Sequence, residues 1–261
     1  MILAQAVNQL VQFCGLRDLS SLTIQALQTE QGLEQVDVLA FFGGSILAGG
    51  DQLAEAIRNK LAKIYVIVGG AGHTTAGLRQ QVRDHFPQLD PTGLTEAEIF
   101  QAYLGQKYGL SADLLEISST NCGNNVTYLL DLLAEKGIDF QSILLMQDAA
   151  MQRRMWATMK KYAADKLLLN YASYQVTVRE EEGQLQFDNA PFGMWDMDHY
   201  LSLLLGEIPR LRDDEEGYGP RGANYLAYID IPQAVEESYQ LVQEKTGLAS
   251  RKANPNFASP E

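Results

Sequence analysis

Apolar residues fall along this chain in two alternating rhythms. VDVLAFFGG (36–44) and IYVIVGG (64–70) are short, near-continuous β-branched and aromatic runs, each closed by a glycine pair. Such runs fit strands buried on both faces, as in a parallel sheet. Between them, Leu53, Ala56, Ile57 and Leu61 recur at helical spacing within 51–63, which predicts a strand–helix–strand unit. The alternation continues with a helix over 95–108, acidic in its first turn at Glu96 and Glu98, and a short strand over 114–117. Val126, Leu129, Leu130 and Leu133 make one face of the next helix. A strand over 142–146, a helix marked by Met151, Met155, Met159 and Tyr162, and a strand over 167–171 complete the series. This order predicts an α/β fold with a doubly wound, mainly parallel sheet and ligand contacts at the strands' C-terminal ends.

The two ends follow a different pattern. Leu3, Val7, Leu10 and Cys14 share one helical face, and 21–28 reads as a second helix. Val235, Tyr239 and Val242 line a helix that starts near Pro232 and stops before Gly247. The expectation is a ligand-binding core over 36–206. Residues 1–35 with 207–261 then form a small all-helical subdomain with a lid or linker segment. The last stretch, RKANPNFASPE, is polar and proline-bearing and predicts a loose tail. No internal repeat is present.

Composition narrows the class. The chain has 261 residues and is 46% hydrophobic, enough to bury a sizeable core. Twenty Lys and Arg against 33 Asp and Glu give a net charge of −13. That charge repels nucleic-acid phosphates and anionic lipid surfaces, so neither is an expected partner. The uncharged stretch 38–50 is too short and too glycine-rich to span a bilayer, and 1–18 lacks a signal peptide's charged start and apolar block. Two cysteines, Cys14 and Cys122, make no disulfide framework and suit a reducing compartment. The expectation is a soluble, cytoplasmic protein.

Standard fingerprints fail. Gly70 and Gly72 are followed by Thr75 where a dinucleotide motif needs its third glycine, and Gly44 and Gly49 are followed by Gly50 and Asp51 where a P-loop needs Lys and Ser or Thr. His73, His85 and His199 show no metal-ligand spacing. Asp196, Asp198 and His199 invite a metal reading, but Asp196 or Asp198 better fits a helix N-cap, so no metal is expected.

Four polar clusters stand after predicted strands, and a fifth follows a predicted helix. FFGGS places Gly43, Gly44 and Ser45 where backbone amides can approach a ligand, or where the chain simply turns. GGAGHTT places Gly69, Gly70, His73, Thr74 and Thr75 at a βα turn, with one threonine needed as a cap and His73 the candidate acid or base. SSTNCGNN is richer in polar groups than capping requires, and Asn121 and Asn125 can donate and accept together. Cys122 is the alternative nucleophile, with His73, although buried cysteines are usually inert. QDAAMQRR brings Gln147 and Asp148 to a strand end, with Asp148 placed as N-cap. Arg153 and Arg154 then lie early in the helix, where a bound anion would explain them. GEIPRLRDDEEGYGPRG carries Arg210, Arg212 and Arg221 among five acids; its composition is that of a solvated linker, while Tyr218–Gly219–Pro220–Arg221 suits a rigid lid.

Together GGAGHTT, STNCGNN, QDAAMQRR and YLSLLLGEIPRLRDDEEGYGPRG resemble the YdcF-like family, a bacterial group that also includes SanA- and ElyC-type proteins. The resemblance runs over about 36–222. It implies a Rossmann-like sheet with a small helical domain from the chain's ends, and S-adenosyl-L-methionine as ligand and cofactor rather than any established reaction. SanA- and ElyC-type relatives are tied to envelope functions and carry membrane anchors. Residue by residue, the resemblance puts strand-end glycines at Gly43, Gly44, Gly69 and Gly70, an acidic position at Glu96, and a Ser/Thr–Asn segment at Thr120, Asn121 and Asn125. It puts the helix start at Met151, Arg153 and Arg154.

The resulting expectation is a nucleoside-type small-molecule binder. Glu96 holds ribose hydroxyls or the sulfonium charge, Arg153 or Arg154 holds the carboxylate, and His73 and Glu96 are the candidate catalytic groups. Gly43, Gly44, Ser45, Gly69, Gly70, Thr74, Thr120, Asn121, Asn125, Gln147, Asp148, Met151, Arg210 and Arg221 complete the expected ligand-binding set. Two alternatives remain: a hydrolase or transferase acting on a phosphorylated envelope metabolite, and a non-catalytic sensor whose helical ends bind a partner protein.

Overall fold

The structure is a computed structural model that describes residues 2–72 and 74–248. His73 and the terminal stretch RKANPNFASPE lie outside the described residues. Five strands form one parallel sheet: β1 (Val36–Phe42), β2 (Ala62–Val68), β3 (Leu114–Glu116), β4 (Ser142–Met146) and β5 (Leu167–Asn170). Their order is β3-β2-β1-β4-β5 and every pairing is parallel. This is a Rossmann-like, doubly wound sheet, and its order reverses between β1 and β4.

The apolar runs work because successive strand residues point to opposite faces. Leu39, Phe41, Ile67, Leu144 and Met146 pack on one face against Leu53 of α3 (Ala48–Arg58), Leu78 of α4 (Thr75–His85) and Phe100 and Tyr103 of α5 (Glu96–Tyr108). Val38, Ala40, Phe42, Val66 and Leu145 pack on the other against Val126 and Leu129 of α6 (Cys122–Glu135) and Met155 and Met159 of α7 (Gln152–Tyr162). Helix α5 starts cleanly because Thr95 and Glu98 form a capping box, each satisfying the other's backbone amide.

A second apolar cluster joins α1 (Leu3–Cys14), α8 (Met197–Leu211) and α9 (Gln233–Thr246) through Val7, Leu10, Tyr200, Leu204, Val235 and Tyr239. Asp196 caps α8 by accepting from the His199 amide. Two features depart from the sequence reading. The second helix, α2 (Ile24–Gln31), sends Leu27 into the α3–α5 face of the sheet rather than into the cluster of the chain's ends. That cluster is also not all helical, because a two-stranded hairpin, β6 (Val178–Glu181) and β7 (Gln184–Phe187), packs into it. The Asn8 side chain of α1 both donates to and accepts from Val178, tying helix to hairpin edge. The hairpin turns at Glu182–Gly183, both with positive φ, the geometry that matches strand twist in a two-residue loop. No described helix is long and apolar enough to cross a membrane.

Candidate functional site

The strand ends at the β1/β4 reversal carry two buried carboxyl groups. Glu96 is fixed by its backbone: its amide donates to the Gly70 carbonyl at 3.0 Å, and the Ala97 amide donates to Gly69 at 2.8 Å. The start of α5 is thereby tied to the loop after β2, and the Glu96 side chain is laid against β1. A Cβ added at Gly43 would stand 2.8 Å from Glu96 Cβ and 2.9 Å from Oε2. A Cβ at Gly44 would stand 2.4 Å from Asp148 Oδ2. The glycine pair therefore exists because one carboxyl group closes on each residue, one from α5 and one from the loop after β4.

Glu96 Oε1 accepts from the Thr74 hydroxyl at 2.6 Å and the Thr75 hydroxyl at 2.8 Å. Thr75 also accepts from the Gly72 amide at 2.7 Å. Thr74 occupies the N-cap of α4 but makes no side-chain cap, because its hydroxyl goes to Glu96 instead. Burial pushes the Glu96 carboxyl up, and the two threonine donors and the nearby Arg79 pull it back only in part. Among the described residues Glu96 has no ion pair within 4 Å.

Asp148 departs from the sequence reading. It does not cap α7: Met151 holds the N-cap, and the Asp148 carboxyl is buried with Oδ2 unpartnered. Burial, followed by the Glu96 charge, raises its pKa from 3.8 to about 7. Gln147 and Ser45 lie beside it, buried, with Gln147 Nε2 and Ser45 Oγ also unpartnered.

The arginines are a second correction. Arg154 makes a bidentate pair with buried Glu207, Nε to Oε2 at 2.5 Å and Nη2 to Oε1 at 2.9 Å. Burial pulls its pKa down, but the Glu207 charge and its hydrogen bonds outweigh that and hold it above the ordinary value. Arg153 donates to the Phe13 carbonyl and lays its guanidinium 4.0 Å from the Phe13 ring centroid. Arg154 is thus committed to Glu207, and Arg153 has its Nε on Phe13. Arg210 donates to Gly206 and lies 3.7 Å from Glu207. Arg221, three-quarters exposed, pairs with Asp213 at 3.1 Å and lines a separate groove of about 390 Å³ with Arg212, Asp214 and Tyr228.

The Ser/Thr–Asn segment is mostly local architecture. Asn121 caps α6 by accepting from the Asn124 amide, and Asn124 Oδ1 returns the bond to the Thr120 and Asn121 amides. Ser119 accepts from the Gly70 amide, which ties this segment to the site. Asn125 is partly exposed on the first turn of α6. Cys122 is the first residue of α6; burial raises its thiol pKa, opposite to what a nucleophile needs.

Sequence reasoning missed Ser173, Tyr174 and Tyr200, whose hydroxyls are buried without a hydrogen-bond partner. No local pattern marks them. No protein-family model matches the chain.

Proposed function

We propose that this chain is a small-molecule-binding protein of the YdcF-like kind. Its strand-end site takes a positively charged nucleoside-type ligand, S-adenosyl-L-methionine first. The observation that carries this reading is Glu96: a buried carboxyl, unpaired to any cation among the described residues, pressed against Gly43 at the point where the sheet order reverses. A crevice outside the carboxyl ends at such a point is where open α/β sheets bind ligands. Two threonine hydroxyls favour the ionised form of Glu96, and a sulfonium or ammonium group supplies the missing counter-charge. A phosphorylated ligand needs free cations at the same place, and Arg154 is already paired with Glu207.

The reading orders the ligands. S-adenosylmethionine and its decarboxylated form bind within a few-fold of each other, because no arginine waits for the carboxylate. S-adenosylhomocysteine, which lacks the sulfonium charge, binds at least about ten-fold more weakly, or about 1.4 kcal/mol. Competition binding with these three ligands tests it. Equal affinity for S-adenosylmethionine and S-adenosylhomocysteine, or preference for ATP, refutes it.

A further inference from the structure

Away from the β1/β4 reversal, the outer edge of the sheet holds another buried acid. β3 is the terminal strand in the order β3-β2-β1-β4-β5, so only one of its sides meets another strand. Side chains alternate along it: Leu115 packs on the α5 face and Leu114 on the α6 face, which turns Glu116 toward α6 as well. Glu116 is 6% exposed, and its two oxygens differ in their surroundings. Oε1 accepts from the Ser118 amide at 2.6 Å and the Ser119 amide at 3.0 Å. Oε2 is buried with no hydrogen-bond partner. A carboxyl oxygen in that state has lost its hydration and gained nothing in its place, which calls for an explanation.

An open groove of about 360 Å³ runs between β3 and α6, and Glu116 is part of its wall. Asp131 and Glu135 of α6 line it too, and no Lys, Arg or His does. Glu135 pairs with the exposed Lys136 at 3.1 Å. Neither Glu116 nor Asp131 has an ion pair among the described residues. The remaining wall is largely apolar, with exposed Ile117 and Tyr128 beside half-buried Leu132.

We propose that this groove binds an organic cation, an ammonium or guanidinium group carried on an aliphatic stem. Glu116 Oε2 and the Asp131 carboxylate take the charged head, Tyr128 supplies an aromatic surface beside it, and the stem lies along Ile117 and Leu132. An anion would meet three acids. A wholly apolar ligand would leave Oε2 without a partner. A metal ion needs several converging donors, and among the described residues no group of three His, Cys, Asp or Glu could hold one. The groove stands two strands away from β1, whose exit carries Gly43 and Gly44, so the inference does not rest on the reading of the strand-end site.

Heteronuclear NMR of the full chain tests it, with butylguanidine and butylammonium as probes and butylurea as the neutral analogue. The Ser118 and Ser119 amides report directly, because both donate to Glu116. The expected result is a saturable shift of these amides and of 128–135 with the cations, with butylurea at least about ten-fold weaker. Glu116→Gln and Asp131→Asn should each weaken cation binding at least about ten-fold. Asp131 is exposed, so Asp131→Asn should keep the wild-type melting temperature and separates lost binding from lost folding. Glu96→Gln should leave these shifts unchanged while it removes the sulfonium preference of the strand-end site. Tighter binding of N-acetylarginine methylamide than of butylguanidine assigns the groove to a basic side chain of a partner polypeptide; equal or weaker binding assigns it to a free small cation. No saturable shift with either cation, equal binding of butylurea, or the same shifts with magnesium chloride overturns the inference. So does an affinity that survives in Glu116→Gln or Asp131→Asn, or one that is lost in Glu96→Gln.

Discussion

Asp148→Asn isolates the cost of burying one carboxyl group. Asp148 is 4% exposed, its Oδ2 has no partner, and its pKa is raised from 3.8 to about 7. Burial is the first cause and the Glu96 charge the second. Because the folded pKa lies above the unfolded one, the native state binds the extra proton between about pH 4 and pH 7. Stability therefore falls as pH rises through that window and levels off above it. A gap of about three pH units, at about 1.4 kcal/mol each, makes the full effect about 4 kcal/mol. Asparagine keeps the shape and cannot ionise, so it removes this pH dependence. The assay is urea denaturation of wild type and variant at pH 5, 6, 7 and 8. The difference in unfolding free energy, variant minus wild type, should grow by about 3 kcal/mol from pH 5 to pH 8. Parallel curves would refute the reasoning, because they would mean that Asp148 ionises in the native state as freely as in the unfolded chain.

Other substitutions probe separate parts of the account. Arg154→Met leaves Glu207 buried without its partner and should destabilise the fold by about 3–5 kcal/mol in urea titration, with Arg154→Met/Glu207→Leu recovering most of the loss. Unchanged stability with lost ligand binding would restore Arg154 as a ligand clamp. Gly70→Ala places a Cβ 2.1 Å from the Ser119 carbonyl oxygen and 2.8 Å from that of Ile117. It should lower the urea midpoint by the equivalent of about 1–3 kcal/mol, since rigid backbone must move; an unchanged midpoint would contradict the close approach. Thr95→Ala removes half of the α5 capping box, costs about 1 kcal/mol and lowers the melting temperature by about 2–4 °C. Because α5 carries Glu96, the same change should also weaken S-adenosylmethionine binding measurably in a titration.

The sheet was legible because burial on both faces leaves a strong mark: VDVLAFF and SILLM become β1 and β4 with little polar interruption. Glu96 and Glu98 marked the first turn of α5 because acids favour a helix N-terminus within a single turn. The hairpin was not legible, since Val178–Glu181 and Gln184–Phe187 are largely polar and exposed; its one clear signal is the Glu182–Gly183 turn. The strand-end glycines could be placed in the site by position after strands, and Glu96 only through the family resemblance. Their reason could not, because Gly43 and Gly44 are glycines on account of side chains that approach from α5 and from the loop after β4. Arg153 and Arg154 looked like anion ligands because their partners are remote: Phe13 lies 140 residues away and Glu207 lies 53 away. Asp148 has the local look of a cap, and only tertiary burial makes it a buried acid. Ser173, Tyr174 and Tyr200 acquire their setting wholly from the third dimension.

The most direct test of the central claim is calorimetric titration of the full chain with S-adenosylmethionine and S-adenosylhomocysteine at pH 6 and pH 8, with Glu96→Gln alongside. The account predicts binding of the sulfonium ligand at least about ten-fold tighter than its neutral analogue. Affinity should rise from pH 6 to pH 8 as Asp148 loses its proton, and most of the preference should disappear in Glu96→Gln. Equal binding of the two ligands, or a preference that survives intact in Glu96→Gln, would contradict it.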